Sequence, residues 1–155
     1  MERIVKKLTE LKKTISTMES CTGGGIANAI TNIEGSSEVL KFSAVTYSNE
    51  YKIKMGVDKD IIDKYTVYSM QVANEMSKKI SEFTCSDYGI GITGKLNRVD
   101  ENNPYGEDNI VYVSIYTKDK DEFHNYTIEV TEKSRKENKQ TIIDLIANEL
   151  INLLS

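Results

Sequence analysis

The residues of this chain best suited to chemistry lie in the run ESCTGGG at 19–25, between a predicted strand and a predicted helix. A strand-to-helix junction directs a hydroxyl and several unpaired backbone N–H groups into one small space, as a serine nucleophile with an oxyanion site requires. Ser20 is therefore the candidate nucleophile. Amides near Thr22 and Gly23 are candidates for binding the oxyanion, and the glycines through Gly24 permit close approach of a substrate.

A second run, VTYSNEYK at 45–52, contains the candidate base. A serine hydroxyl is a weak nucleophile until a neighbouring group accepts its proton, and Lys52 is the leading candidate for that group. Its amine can act at neutral pH only where burial or nearby positive charge lowers its pKa. Tyr47 could relay or share the proton. From spacing alone, a plain glycine turn, a core tyrosine and a solvated lysine remain open as alternatives.

Composition argues against several other classes of function. His124 is the only histidine and Cys21 and Cys85 the only cysteines, far apart, so we expect no Ser-His-Asp triad, metal site or disulfide. The chain has 20 basic and 24 acidic residues, a balance that disfavours nucleic-acid binding. No apolar run approaches the roughly 20 residues of a membrane span. Residues 1–13 lack the apolar segment of a signal peptide, so we expect a cytoplasmic protein without membrane contact.

The predicted elements alternate between helix and strand, which indicates a layered α/β sandwich with a mixed sheet and one domain over 1–155. Asp58 and Ser69 are plausible helix N-caps, and Ser134 with Glu137 forms the S-x-x-E capping pattern before the last helix. Residues 95–109 form a long polar loop or lid. The remaining predictions are helices at 2–13 and 26–33 and strands at 14–18, 40–48, 88–93, 110–117 and 123–130.

The ordered runs ESCTGG at 19–24, GSS at 35–37, VTYSNE at 45–50 with Lys52, and GV at 56–57 closely resemble the CinA C-terminal domain family, which includes the nicotinamide-nucleotide amidases. The similarity continues through Ser69 to the Thr-Gly pair at 93–94. The resemblance implies a three-layer α/β/α sandwich with a mixed, mostly parallel sheet. It also implies domains that pair as homodimers and need no metal or organic cofactor.

The activity implied by this resemblance is hydrolysis of the carboxamide of nicotinamide mononucleotide to nicotinate mononucleotide and ammonia through an acyl-enzyme. The family's nucleophile and its two partners correspond to Ser20, Tyr47 and Lys52. By the same resemblance, the small-molecule substrate is expected to be bound by Thr22, Gly23, Gly24, Asn49, Thr93, Gly94 and Arg135.

The chain departs from the family pattern beyond Gly94, where family members usually continue with Ile-Ala-Gly-Pro and this chain has KLNR at 95–98. An acidic stretch follows within 100–108, which would repel a nucleotide phosphate unless Lys95 or Arg98 offsets it. Asn138 replaces a second family arginine. Three hypotheses therefore stand: a nicotinamide-nucleotide amidase, an amidohydrolase of the same mechanism acting on another small amide, and a catalytically silent binding or scaffold domain.

Overall fold

The computed structural model describes residues 1–98 and 100–155, in which helices separate the first three strands and the last three strands follow one another directly. The strands are β1 (Ile15–Glu19), β2 (Leu40–Val45), β3 (Tyr88–Gly94), β4 (Ile110–Thr117) and β5 (Glu122–Glu129). The helices are α1 (Glu2–Leu11), α2 (Gly25–Thr31), α3 (Asn49–Lys54), α4 (Lys59–Tyr65), α5 (Met70–Thr84) and α6 (Arg135–Leu153), with a short 3-10 helix at Ser36–Glu38.

The predicted strand at 40–48 is too long, because the chain leaves the sheet after Val45 and begins α3 instead. The Ser48 hydroxyl caps that helix by accepting a hydrogen bond from the Tyr51 amide at 3.3 Å. The short helix α3 was not predicted from the sequence, since its six residues carry too little apolar periodicity to be recognised.

The sheet confirms the predicted mixed, mostly parallel arrangement. Its strand order is β2-β1-β3-β4-β5, and β1 pairs in parallel with both β2 and β3. Strand β4 pairs antiparallel with β3 and with β5. Four of the five strands therefore point the same way, and the carboxyl ends of β1, β2 and β3 meet at one edge.

Helices cover both faces of the sheet, as the three-layer prediction requires. On one face, α1, α2 and α6 bury a core that includes Ile4, Leu8, Ile26, Ile30, Ile142 and Ile146 against β3 and β4. On the other face, α4 and α5 enclose a smaller core that includes Met18, Val57, Ile62, Val72, Met76 and Ile80. None of the helices in the described residues is both long and apolar enough to cross a membrane.

Helix α5 lies unusually close to β3 because two glycines of that strand face it. A Cβ atom added at Gly89 would fall well inside van der Waals contact of the Ser77 carbonyl oxygen, and one at Gly91 would meet the Ala73 carbonyl oxygen in the same way. The Ser77 hydroxyl lies 2.8 Å from that of Ser114 on β4, which links the helix to the sheet. The close packing of α5 on these glycines fixes the position of β3, whose carboxyl end borders the candidate site.

Helix α6 begins with the predicted capping box. The Ser134 hydroxyl accepts from the Glu137 amide at 3.1 Å, and the Glu137 carboxylate accepts from the Ser134 amide at 3.2 Å. Asn138 is buried and bonds to both the amide and the carbonyl of Glu132, at 2.9 and 3.3 Å. These bonds fix the start of the helix and place Arg135 in its first turn.

We predict that Gly89→Ala lowers the free energy of unfolding by about 3 kcal/mol, because the new methyl group forces α5 away from the sheet. Gly35→Ala is the matched control: Gly35 has a positive φ of 84° but no atom within 4 Å of the added Cβ. It should cost about 1 kcal/mol from backbone strain alone. Urea denaturation measures both values, and equal losses in the two variants would contradict the close packing of α5.

Candidate active site

Three segments singled out from the sequence converge at the carboxyl edge of the parallel strands. Ser20 follows β1 directly, and its amide donates to the Ile92 carbonyl of β3 at 3.0 Å. The amide of Thr46, which follows β2, donates to the Glu19 carbonyl at 2.8 Å. Ligands of open α/β sheets commonly bind at this edge, so the fold places the candidate nucleophile where a substrate can reach it.

The turn that carries Ser20 is held by Glu19, whose role the sequence analysis missed. The Glu19 side chain is fully buried and accepts four hydrogen bonds. Two come from the hydroxyls of Thr17 and Thr22, at 3.1 and 2.7 Å. The other two come from the amides of Ile26 and Ala27 in the first turn of α2, both at 3.0 Å. One carboxylate thus fastens the end of β1 to the start of α2 and fixes Ser20 between them.

The amine of Lys52 contacts the hydroxyl of Ser20. Lys52 Nζ donates to Ser20 Oγ at 3.0 Å and to the Thr46 carbonyl oxygen at 2.8 Å. Both side chains are removed from water, since Lys52 is only 2% exposed and Ser20 9%. The unpredicted helix α3 turns this lysine inward, so the alternative of a solvated surface lysine is wrong.

Burial changes the chemistry of the two titratable groups nearest Ser20. Desolvation lowers the pKa of Lys52 to about 8, although the field of the Asp100 carboxylate acts in the opposite direction. A substantial fraction of the amine is therefore unprotonated just above neutral pH. Desolvation also raises the pKa of Cys21 to about 12, so this neighbouring thiol stays protonated and is a poor nucleophile.

The hydrogen bonds of the turn show which amides are free to bind an oxyanion. The Gly23 amide donates to the Ser20 carbonyl at 2.9 Å, and the Gly25 amide donates to the Thr22 carbonyl at 3.0 Å. Within residues 1–98 and 100–155, the amides of Cys21, Thr22 and Gly24 have no hydrogen-bond partner. Of these three residues only Cys21 lines the adjoining cavity in the described chain, so its amide is the candidate oxyanion donor.

A cavity of about 630 Å³ opens beside Ser20, a volume within the usual range for small-molecule sites. Of the residues predicted to bind substrate, Asn49, Gly94 and Arg135 line it. The other predicted binding residues (Thr22, Gly23, Gly24 and Thr93) are not among the described residues that line the cavity. Thr22 bonds to Glu19 as described, and the Thr93 hydroxyl donates to the Val67 carbonyl at 2.8 Å.

Tyr47 lines the same cavity at its outer end. Its side chain is 63% exposed, and its hydroxyl accepts a hydrogen bond from Arg135 Nη2 at 3.1 Å. In the described part of the chain, no hydrogen bond joins Tyr47 to Ser20 or Lys52. The role of Tyr47 in proton transfer therefore stays a prediction, and it requires a bound molecule that connects the Tyr47 hydroxyl to Ser20 or Lys52.

The loop predicted at 95–109 contributes more to the cavity than its polarity suggested. Lys95 and Leu96 are buried, and Lys95 Nζ pairs with Asp108 at 3.3 Å. The same ammonium lies 4.9 Å from the ring centroid of Tyr68, a cavity residue that no sequence motif marked. Lys95 thus offsets one acidic residue of the loop, as the sequence analysis required for an anionic substrate.

Comparison with known proteins identifies relatives of this chain along nearly its whole length. A family model described as the CinA C-terminal domain matches residues 1–154. A CinA-like protein of Endomicrobium trichonymphae is 38% identical over 148 residues, covering 93% of this chain and 34% of the relative. A CinA-like protein of Flavobacterium psychrophilum is 42% identical over 115 residues, covering 72% of this chain and 27% of the relative. The chain thus spans about a third or less of these curated relatives.

Solved structures show the same fold. The competence/damage inducible protein CihA from Agrobacterium tumefaciens superposes with a TM-score of 0.87 at 28% identity, covering 99% of this chain and 92% of that one. A competence or damage-inducible protein from Enterobacter asburiae superposes with a TM-score of 0.85 at 25% identity, covering 99% of this chain and 98% of that one.

We predict that Glu19→Gln destabilises the protein by about 2 kcal/mol or more. The new side-chain NH2 group would face hydrogen-bond donors, because all four partners of the buried Glu19 carboxylate donate to it. Urea denaturation measures the loss. Glu50→Gln is the control, since Glu50 is an exposed partner of Lys54 and its removal should cost under about 0.5 kcal/mol. A Glu19 variant as stable as this control would show that the carboxylate does not hold the turn.

Proposed function

The chain belongs to the CinA C-terminal domain family, and from this premise and the Ser20–Lys52 contact we propose that it is an amidohydrolase acting on the carboxamide of nicotinamide mononucleotide. The products are nicotinate mononucleotide and ammonia. The observation that carries the proposal is the 3.0 Å contact between a serine hydroxyl and a buried amine whose pKa is about 8. Such an amine is matched to proton transfer near neutral pH.

Acylation uses the groups around the turn. Ser20 Oγ attacks the carboxamide carbon while its proton moves to the unprotonated amine of Lys52. The carbonyl oxygen of the substrate becomes an oxyanion, for which the Cys21 amide is the candidate donor. When the C–N bond breaks, the Lys52 ammonium returns the proton to the leaving nitrogen, which departs as ammonia. Ser20 is left as an acyl ester.

Deacylation repeats these steps with water. Lys52, now unprotonated again, accepts a proton from a water molecule as that water attacks the ester carbon. The tetrahedral intermediate collapses with cleavage of the carbon–Oγ bond, and Lys52 returns the proton to Ser20. The carboxylic acid product loses its own proton to solvent. No step requires the hydroxyl of Tyr47, which together with Arg135 lies at the mouth of the cavity.

The charges of the cavity support a substrate with an anionic group. Arg98, Arg135 and Lys95 line it, against the single carboxylate of Asp100 among the described lining residues. Lys95 is paired with Asp108, which leaves the two guanidinium groups as the candidates for a phosphate. This balance favours a nucleotide over an uncharged amide, although the rebuilt loop at 95–109 keeps a different small amide as the second candidate substrate.

The geometry counts against the catalytically silent alternative. A binding or scaffold domain has no need of a lysine amine held in a water-poor site, because burying an amine lowers stability whenever it is protonated. Retention of that arrangement, with the hydroxyl of Ser20 in contact, is typical of a reacting pair.

Replacing the nucleophile tests the proposal. Ser20→Ala should reduce ammonia release from nicotinamide mononucleotide by at least about a thousandfold, while the melting temperature changes little because only one hydroxyl is lost. Ser37→Ala serves as control, since Ser37 is exposed in the 3-10 helix and lies outside the cavity lining, and it should retain full turnover. The same assay on nicotinamide and other small amides separates the two candidate substrates. A Ser20→Ala protein with unchanged turnover would refute the mechanism.

The pH dependence tests the base. Because Lys52 acts unprotonated and its pKa is about 8, kcat/KM should rise about tenfold per pH unit below pH 8 and level off above it. Lys52→Arg should be inactive across pH 6–10, since a guanidinium does not give up its proton in this range. Steady-state assays in constant-ionic-strength buffers measure both. A profile that is flat from pH 6 to 9 would exclude Lys52 as the base.

A further inference from the structure

The segment that departs from the family pattern brings one carboxylate, that of Asp100, into the cavity beside Ser20. The carboxylate is held by neutral donors. The Tyr68 hydroxyl donates to it, as does Asn103 Nδ2 at 3.3 Å, and the Asn102 amide donates at 3.0 Å. The side chain of Asn103 accepts in turn from Asn49 Nδ2 at 3.0 Å, which ties the segment to α3.

Asp100 carries a negative charge that no protein cation neutralises by contact. Burial alone would raise the pKa of its carboxyl group, but the hydrogen bonds from Tyr68 and Asn103 outweigh burial and hold that pKa below its ordinary value. Among the described residues, no Lys or Arg nitrogen lies within 4 Å of it. The nearby ammonium of Lys95 instead pairs with Asp108 and lies against the Tyr68 ring.

The field of this carboxylate extends to the reacting groups, since it acts to raise the pKa of Lys52. A fixed carboxylate without a protein counter-ion, in a cavity partly shielded from water, attracts a positive charge on a ligand and gives a neutral ligand no such gain. The two cavity guanidinium groups, Arg98 and Arg135, have the opposite sign and are suited to a separate anionic group.

We propose that Asp100 makes this cavity selective for amides carried on a cationic ring over the same amides carried on a neutral ring. The inference rests on the proposed function for its choice of ligand, because the nicotinamide ring of the oxidised mononucleotide bears a positive charge and that of the reduced mononucleotide is neutral. The two compounds share the ribose, the phosphate and the carboxamide. Any repulsion between Asp100 and the phosphate therefore cancels in the ratio of their affinities.

The test measures the dissociation constants of oxidised and reduced nicotinamide mononucleotide by calorimetry at pH 8, in a Ser20→Ala background that prevents turnover. We expect the background protein to bind the oxidised form on the order of tenfold more tightly. Adding Asp100→Asn should bring the ratio close to one. Adding Glu101→Gln removes the same charge from an exposed neighbour outside the cavity lining and should leave the ratio unchanged.

Two outcomes overturn the proposal: a background protein that binds both forms equally or binds neither, and an Asp100→Asn variant that keeps the full preference. If that variant keeps the preference while both affinities fall by the same factor, Asp100 only organises its segment. Failure of the proposed function is seen separately, in an ammonia-release assay of the native protein. Preferential binding without turnover would support the charge selection and contradict the proposed function. Turnover without preferential binding would contradict only the charge selection.

Discussion

The site depends on the burial of the Lys52 amine, which is energetically unfavourable because the amine loses its contact with water. A buried ammonium is costly, and two oxygens, Ser20 Oγ and the Thr46 carbonyl, are its hydrogen-bond partners in the described chain. Because these partners are neutral, desolvation outweighs the favourable fields and the pKa falls to about 8. Desolvation of the amine therefore has two effects: it destabilises the folded state when Lys52 is protonated, and it makes the amine a base at physiological pH.

An amine of this kind is useful only if the hydroxyl stays within reach, and two rigid contacts ensure that it does. Glu19 fastens the end of β1 to the first turn of α2, so the residue between them has little freedom. On the opposite face, the glycines of β3 let α5 rest directly on the strand. The edge of the sheet that carries the site is therefore fixed from both sides, as preorganised catalysis requires.

Charge is divided within the cavity rather than spread evenly over it. The guanidinium group of Arg135 lies beside Tyr47, to whose hydroxyl it donates a hydrogen bond, and Arg98 lines the same cavity. Asp100 is held by Tyr68 and Asn103, and Lys95 is occupied by Asp108. Lys95, Asp100 and Asp108 all belong to the segment after Gly94, so this segment contributes much of the charge in and around the cavity.

Much of the fold followed from local pattern. The capping box at Ser134, the caps at Asp58 and Ser69, and the strand at 110–117 were confirmed, because each depends on residues near one another in sequence. The helix α3 was missed, since its apolar periodicity is weak. The order of strands beyond the mixed, mostly parallel sheet was not predicted either, because pairing joins segments that are distant along the chain.

The sequence by itself determined that Ser20 follows a strand, that Lys52 lies in a motif similar to that of a known family, and that one histidine and two distant cysteines are all the chain has of those residue types. Only the tertiary structure decided that the two side chains touch, that Glu19 fixes the turn, and that Tyr68 and Asp100 border the same cavity. The physical reason is that burial, and with it the pKa of Lys52, is a property of packing between distant segments, which spacing along the chain does not specify.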